Sequence, residues 1–259
     1  MSVFNKSKIK NNFNKAALNY DDYAVLQKKV AKKLVNVSSD NINKSNKILD
    51  LGSGTGFVAD SIKSTNKEIF ELDIAHNMLN KRSGSLKVNA DIEYLPFVEN
   101  SFDLILSSLA FQWLNNISLA ITNCGKVLKD NGSLIFSIIT DGSLAELKSS
   151  CTTCGVNLSI NQFPTKQYLV DIISDISKNY QLIDEKIILE YKDLYDLLNS
   201  MKKIGASYGS NFNRNNLTKK RFELLNSFYL KNFNSKDRIF ATWQVTYVFI
   251  KYTKSKSES

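Results

Sequence analysis

Residues 48–57, ILDLGSGTGF, decide how the chain is read. A short apolar run of strand length meets glycines at 52, 54 and 56, and an apolar, helix-like stretch begins at Phe57. Glycine permits a tight turn and a close approach of backbone to ligand, and the helix that follows offers free N–H groups at its start. The pattern is therefore a strand, a ligand cradle and a helix. Its spacing is Gly-x-Gly-x-Gly, where dinucleotide sites use Gly-x-Gly-x-x-Gly. Asp50 stands just ahead of the loop, where a carboxylate suits a cationic ligand directly or through water.

Three later elements fit the same cradle. The next apolar run ends at Asp73, in FELDIAHNML, 17 residues after Gly56, where a carboxylate can accept both hydroxyls of a ribose or cap the following helix. Asp91 and Ile92, in NADIEYLPF, offer an acceptor for an adenine amino group and an apolar face for its ring. Finally VLKDNGSLIF reads as helix, turn and strand. Taken together, strands are expected at 47–51, 68–73, 86–89, 102–107 and 132–139, with helices from Phe57, from His76 and at 117–128. Strand and helix in alternation give right-handed crossovers, a mostly parallel sheet and helices on both faces, an α/β fold.

Beyond residue 142, helices are expected at 143–150 and 166–178, a strand at 182–189, helices at 194–204 and 218–233, and a last strand at 240–252. That ending reads as an antiparallel hairpin split by a helical insertion, far longer than an ordinary loop and expected to act as a lid. Upstream, Phe13, Ala17, Tyr20, Ala24, Gln27, Ala31 and Leu34 recur at alternating spacings of four and three, which predicts one amphipathic helix. Tyr20 and Gln27 put polar groups on its buried face, so they need partners, whether a ligand or the rim of the fold.

Composition narrows the class. The 259 residues are 43% hydrophobic and 23% charged, enough for one domain with an ample core and too apolar for a disordered chain. No apolar run reaches membrane-span length, and the basic N-terminus lacks a secretory apolar region, so a soluble protein of a reducing cytoplasm is expected. A CxxC at Cys151 and Cys154 has only Cys124 and His76 as further soft ligands, so no metal is expected. A single histidine argues against a hydrolase triad. Net charge is +9 and unevenly spread: residues 1–47 carry +7, residues 48–177 carry −5, and residues 178–259 carry +7. No groove-reading module accompanies it, so an acidic protein partner is expected rather than nucleic acid, with Lys28, Lys29, Lys32, Lys33, Lys219, Lys220 and Arg221 as contributors.

Over residues 45–140 the sequence resembles the class I, S-adenosylmethionine-dependent methyltransferases. FNKAALNYDDYAVLQ (13–27), ADIEYLPFVENSFDLILSSLAFQW (90–113), DGSLAELK (141–148), NQFP (161–164), LLNSMKKIGAS (197–207) and ATWQVTYVFI (241–250) extend it. Over nearly the whole chain these segments are similar to the malonyl-acyl-carrier-protein O-methyltransferases of biotin synthesis. Methyltransferase-like assembly factors of respiratory complex I share the LPF, FDL, SSL and W stretch, and a small-molecule methyltransferase of the same fold is a further reading. The pattern departs from the family at Ser108, where Asn is expected.

The resemblance implies a seven-stranded, Rossmann-like sheet in a single domain. Its parts are an N-terminal helical cap (1–40), a cofactor-binding core (45–190), a lid (191–239) and a final antiparallel strand (240–253). It implies S-adenosylmethionine as cofactor, bound by Asp50, Gly52, Gly54, Gly56, Asp73, Ile74, Met78, Asp91, Ile92, Ser107 and Tyr20. Met78 would offer a polarizable face to adenine, or else fill the core. Tyr20, Gln27, Gln112, Trp113, Arg214 and Arg221 would face the substrate, a malonyl group on acyl carrier protein or coenzyme A, with an arginine holding its carboxylate. No catalytic base is implied, because that carboxylate is already ionised at neutral pH.

Overall fold

The computed structural model describes residues 4–63, 66–83, 86–158, 160–206 and 218–254. The strands are β1 (Lys47–Leu51), β2 (Glu68–Asp73), β3 (Leu86–Asn89), β4 (Phe102–Ser108), β5 (Leu128–Ile139), β6 (Tyr180–Tyr191), the two-residue β7 (Asn234–Ser235) and β8 (Arg238–Lys251). They form one sheet in the order β3-β2-β1-β4-β5-β8-β6, with β7 added on β8. From β3 to β5 all pairings are parallel, and β8 runs antiparallel between β5 and β6. Seven strands thus make the main path, as expected, and the strand order reverses at β1, between β2 and β4. Ligand crevices open at such a reversal, beyond the carboxyl ends of the strands.

Side-chain alternation divides the core in two. Ile48, Leu104, Leu106 and Ile135 face one layer, which contains α3 (Val25–Val37), α5 (Phe57–Ser61), α8 (Ala145–Thr153), α10 (Leu194–Lys203) and α11 (Lys219–Asn232). Leu49, Ile105, Leu134 and Phe136 face the other, beneath α7 (Ile117–Val127) and α9 (Lys166–Ile176), with Phe111 stacked on Phe136 at 4.1 Å.

The N-terminal region differs from the expected single helix. It breaks into α1 (Lys6–Ala16), α2 (Tyr20–Tyr23) and α3, followed by the short α4 (Ser39–Lys44). The periodic stripe is real, but its two halves serve different surfaces. Leu26, Val30 and Leu34 of α3 join the main core, whereas Phe13, Ala16 and Ala17 pack on Ala75 and Met78 beside α6 (His76–Leu79). Local bonds hold the bend between them: the Lys28 ammonium donates to the Asp21 carbonyl at 2.7 Å, and the Thr55 hydroxyl donates to the Asp21 carboxylate at 2.6 Å.

Strand β8 outruns β5. Their pairing ends at Ile139 and Val245, and β7 pairs with β8 only at Arg238 and Ile239, so among the described residues the edge of β8 over residues 241–244 has no strand partner. Residues 140–146 cover it. Leu144 N–H donates to Thr242 O at 2.7 Å, Ser143 Oγ accepts from Gln244 N–H at 2.8 Å, and buried Glu146 accepts from both Thr242 N–H and its hydroxyl. A buried backbone donor needs a partner, so Glu146→Ala should destabilise the fold by about 2 to 3 kcal/mol, read as a lower urea midpoint at unchanged m-value.

Candidate active site

The glycine loop is tied to the end of β2. Gly52 and Ser53 N–H both donate to Leu72 O, at 2.7 and 3.1 Å. Gly52 (φ 66°) sits so close to Ala110 that a Cβ would lie 2.4 Å from that side chain, and Gly54 (φ 57°) opens onto free space, where a Cβ would meet nothing within 4 Å. Asp73 closes the loop from below: its carboxylate accepts from Gly54 N–H at 2.8 Å and from Ala75 N–H at 2.7 Å. Each oxygen keeps a lone pair free. Burial pushes the Asp73 carboxyl up to about 6, against the opposing effect of those two backbone donors.

A cavity lies on this loop, and Tyr20, Gly52, Gly54, Asp73, Ile74, Met78, Asp91 and Ile92 line it together. The other expected cofactor residues stand outside the lining. Asp50 is fully buried behind the loop with both carboxylate oxygens unpartnered, and burial, reinforced by Glu71 and Asp73, drives its carboxyl well above the usual range despite Arg82. Gly56 backs onto the Arg82 side chain. Ser107 points into the sheet and donates to Leu51 O at 2.7 Å, and its neighbour Ser108 takes the place in the lining. Helix α1 adds Lys6 and Ile9, which composition and motif did not single out, and Phe13, which the apolar stripe marked without a role in the site. Lys6 bridges Asp91, at 3.0 Å, and Glu93, and so ties α1 across the cavity.

A second, larger cavity of about 340 Å³ adjoins the first. Phe13, Tyr20, Leu109 and Trp113 line both. Leu109, at the carboxyl end of β4, holds a left-handed φ of 52° while its N–H meets Ser137 O and Oγ, each at 3.1 Å. Such strain in a non-glycine residue gathers at functional sites. Trp113 is braced edge-on by Phe13 at 5.6 Å, and Tyr20 stacks on Phe57 at 6.0 Å. Burial, then Asp73 and Asp21, raise the Tyr20 phenol, which keeps its proton at neutral pH.

Gln27 and Gln112 also line the larger cavity, together with Tyr23 of α2 and with Asn161, Phe163, Tyr191, Ser200 and Trp243 from the loop before α9, the β6–β8 hairpin and α10. All but Tyr191 fall in segments that carry the family resemblance, though none of these six was given a role in the site. Arg214 lies outside the described residues. Arg221 is exposed on the first turn of α11 and is not part of the lining. Among the described residues, no lysine or arginine lines this cavity, no cluster of His, Cys, Asp and Glu could hold a metal, and no helix is long and apolar enough to cross a membrane.

A mostly parallel sheet reversed at β1, with a glycine cradle and a paired carboxylate at its carboxyl edge, defines a class I methyltransferase. The methyltransferase-domain family matches residues 49–136. Malonyl-acyl-carrier-protein O-methyltransferase of Buchnera aphidicola is 34% identical over 228 residues, spanning 86% of this chain and 90% of that protein. The enzyme of that name from Geobacter sulfurreducens is 29% identical over 95% of this chain and 98% of its own. In fold, the chain is similar to a SAM-dependent methyltransferase from Thermotoga maritima, with a TM-score of 0.55, 15% identity, and coverage of 93% of this chain and 99% of that one. The chain belongs to the malonyl-acyl-carrier-protein O-methyltransferase family.

Proposed function

We propose that the smaller cavity holds S-adenosylmethionine and that the larger one presents to it the free carboxylate of a malonyl thioester carried by acyl carrier protein. The observation that carries this reading is the meeting of the two cavities at Phe13, Tyr20, Leu109 and Trp113. The residues present fit the cofactor. Asp73 has one free lone pair on each oxygen for two ribose hydroxyls, the open side of Gly54 admits close approach, and Asp50, whose two carboxyl oxygens have no partner among the described residues, leaves a polar group behind the loop. Ile92 and Met78 give apolar surface for a purine, beside Asp91.

When bound, the cofactor supplies an electrophilic methyl group on a sulfonium. The malonyl carboxylate is ionised at neutral pH and needs no base. The protein's part is alignment and exclusion of water: Phe13, Leu109 and Trp113 make the junction apolar, and Tyr20, protonated, serves as a hydrogen-bond donor there. Methylation hides the malonyl charge, so the product can prime chain elongation in biotin synthesis. Mass spectrometry of malonyl-carrier protein incubated with the protein and S-adenosylmethionine should show gain of one methyl group; an unmodified carrier would reject the reading.

Two further outcomes are expected. Ribose hydroxyls bind ionised Asp73, whose carboxyl in the free protein titrates at about 6. Protonation removes the charged acceptor, so calorimetric affinity for S-adenosylhomocysteine should hold between pH 7 and 8 and fall as pH drops through 6, approaching about tenfold per unit below it. The acidic carrier would meet the basic ends of the chain: Lys29, Lys32 and Lys33 are exposed on α3, and Lys203 lies over the ring of Tyr23 at the larger cavity. Added salt should therefore raise KM for malonyl-carrier protein more than for malonyl-coenzyme A, because exposed charges mainly speed association and are screened within about 8 Å.

A further inference from the structure

The larger cavity contains three buried polar atoms without a hydrogen bond among the described residues: Gln27 Oε1, Gln112 Oε1 and Trp243 Nε1. Gln112 Nε2 donates to Leu109 O at 2.6 Å, which fixes the orientation of the amide and commits its oxygen to the role of acceptor. The Trp243 indole N–H stands next to the Tyr191 hydroxyl but makes no bond of ordinary length and angle. Buried polar groups are nearly always paired in native proteins, so orphans gathered in one cavity mark where the polar groups of a ligand arrive. Their signs are mixed, two acceptors and one donor. A carboxylate offers acceptors only and would face the Gln112 oxygen with like charge. A secondary amide offers an N–H and a carbonyl together, and amides joined by methylenes suit walls of Leu26, Ile139, Phe163 and Leu189.

We propose that this cavity takes the pantetheine arm of the thioester, with Gln27 and Gln112 accepting from its amide N–H groups and Trp243 donating to an amide carbonyl. The inference rests on the malonyl-thioester reading and adds how the arm is recognised. Coenzyme A and carrier protein share the arm.

The test compares kcat/KM for three malonyl esters: malonyl-carrier protein, malonyl-coenzyme A and malonyl ethyl thioester, which has no amide. Gln112→Met and Gln27→Met keep side-chain bulk, Trp243→Phe keeps an aromatic ring, and each removes the polar atom. Each should lower the preference for both amide-bearing esters over the ethyl thioester by about tenfold or more, the scale of one lost hydrogen bond in a buried site. S-adenosylhomocysteine binding verifies each variant's fold, and half-buried Gln27 carries the test if Gln112→Met does not fold. An unchanged preference in folded variants would overturn the proposal while leaving malonyl methylation intact. A loss confined to the carrier protein would overturn it too, since that places the effect at protein docking. Wild-type protein that methylates none of the three would overturn both this proposal and the reading beneath it.

Discussion

Asp73→Ala is expected to weaken S-adenosylhomocysteine binding by about 1.5 to 3 kcal/mol, the range for hydrogen bonds to a charged acceptor. The size follows from what the carboxylate touches. Its two oxygens already hold Gly54 N–H and Ala75 N–H, one on the glycine loop and one just before α6, so substitution removes the ribose acceptors and frees both backbone donors. Loosening of the loop adds to the loss, because Gly52 and Ser53 hang on the same end of β2 through Leu72 O. Asp73→Asn separates the two effects. It keeps the shape and one carbonyl acceptor but loses the charge, so it should fall between wild type and alanine and lose the decline in affinity below pH 6. Calorimetry on variants whose melting remains cooperative decides it. An alanine variant that binds as tightly as wild type would remove Asp73 from the cofactor site.

What the sequence made legible, and what it hid, has physical causes. The glycine loop, Asp73, Asp91 and Ile92 were legible because each stands at the carboxyl end of a strand, and the order of strands fixes that all those ends share one edge. Ser107 and Ser108 show the limit. Adjacent strand residues face opposite sides, and a two-residue polar pair in a strand buried on both faces carries no alternation to say which one meets the ligand. Ser107 turns to the Leu51 carbonyl and Ser108 to the cavity. Ser200 and Trp243 lie in segments that carry the resemblance, but that they meet Tyr191 on the floor of the larger cavity was hidden for a different reason: Tyr191 and Trp243 come from a hairpin that extends past β5, and Ser200 from a helix laid over it, so no local spacing joins them. The continuous stripe from Phe13 to Leu34 was periodic enough for one helix, yet the bend near Leu18, which is 77% exposed, turns one half onto the ligand site and leaves the other in the core.

That bend sets where the cap can be removed. A cut after residue 27 would take Leu26 from the main core and Ala24, fully buried, from the start of α3, so the remainder would lose part of its own packing. A cut after Asn19 removes α1 and the turn alone. Neither main core cluster draws a buried residue from before Leu26, so the shortened protein should still melt cooperatively. Its site, however, loses Lys6, Ile9 and Phe13 from the smaller cavity, and with Phe13 one of the four residues where the two cavities meet. Trp113 also loses its edge-on brace, and Ala75 and Met78 lose the cover of Ala17. A methyl transfer that depends on alignment and water exclusion is sensitive to such losses, since misplacement by about 1 Å can cost about 100-fold. Removal of residues 1–19 should therefore lower kcat by about 100-fold or more, with a clear but smaller loss of S-adenosylhomocysteine affinity, because Asp73 and the glycine loop remain in place. Single-turnover kinetics at saturating cofactor isolates the alignment effect from binding. Full turnover by the shortened protein would show that α1 covers the site without shaping it.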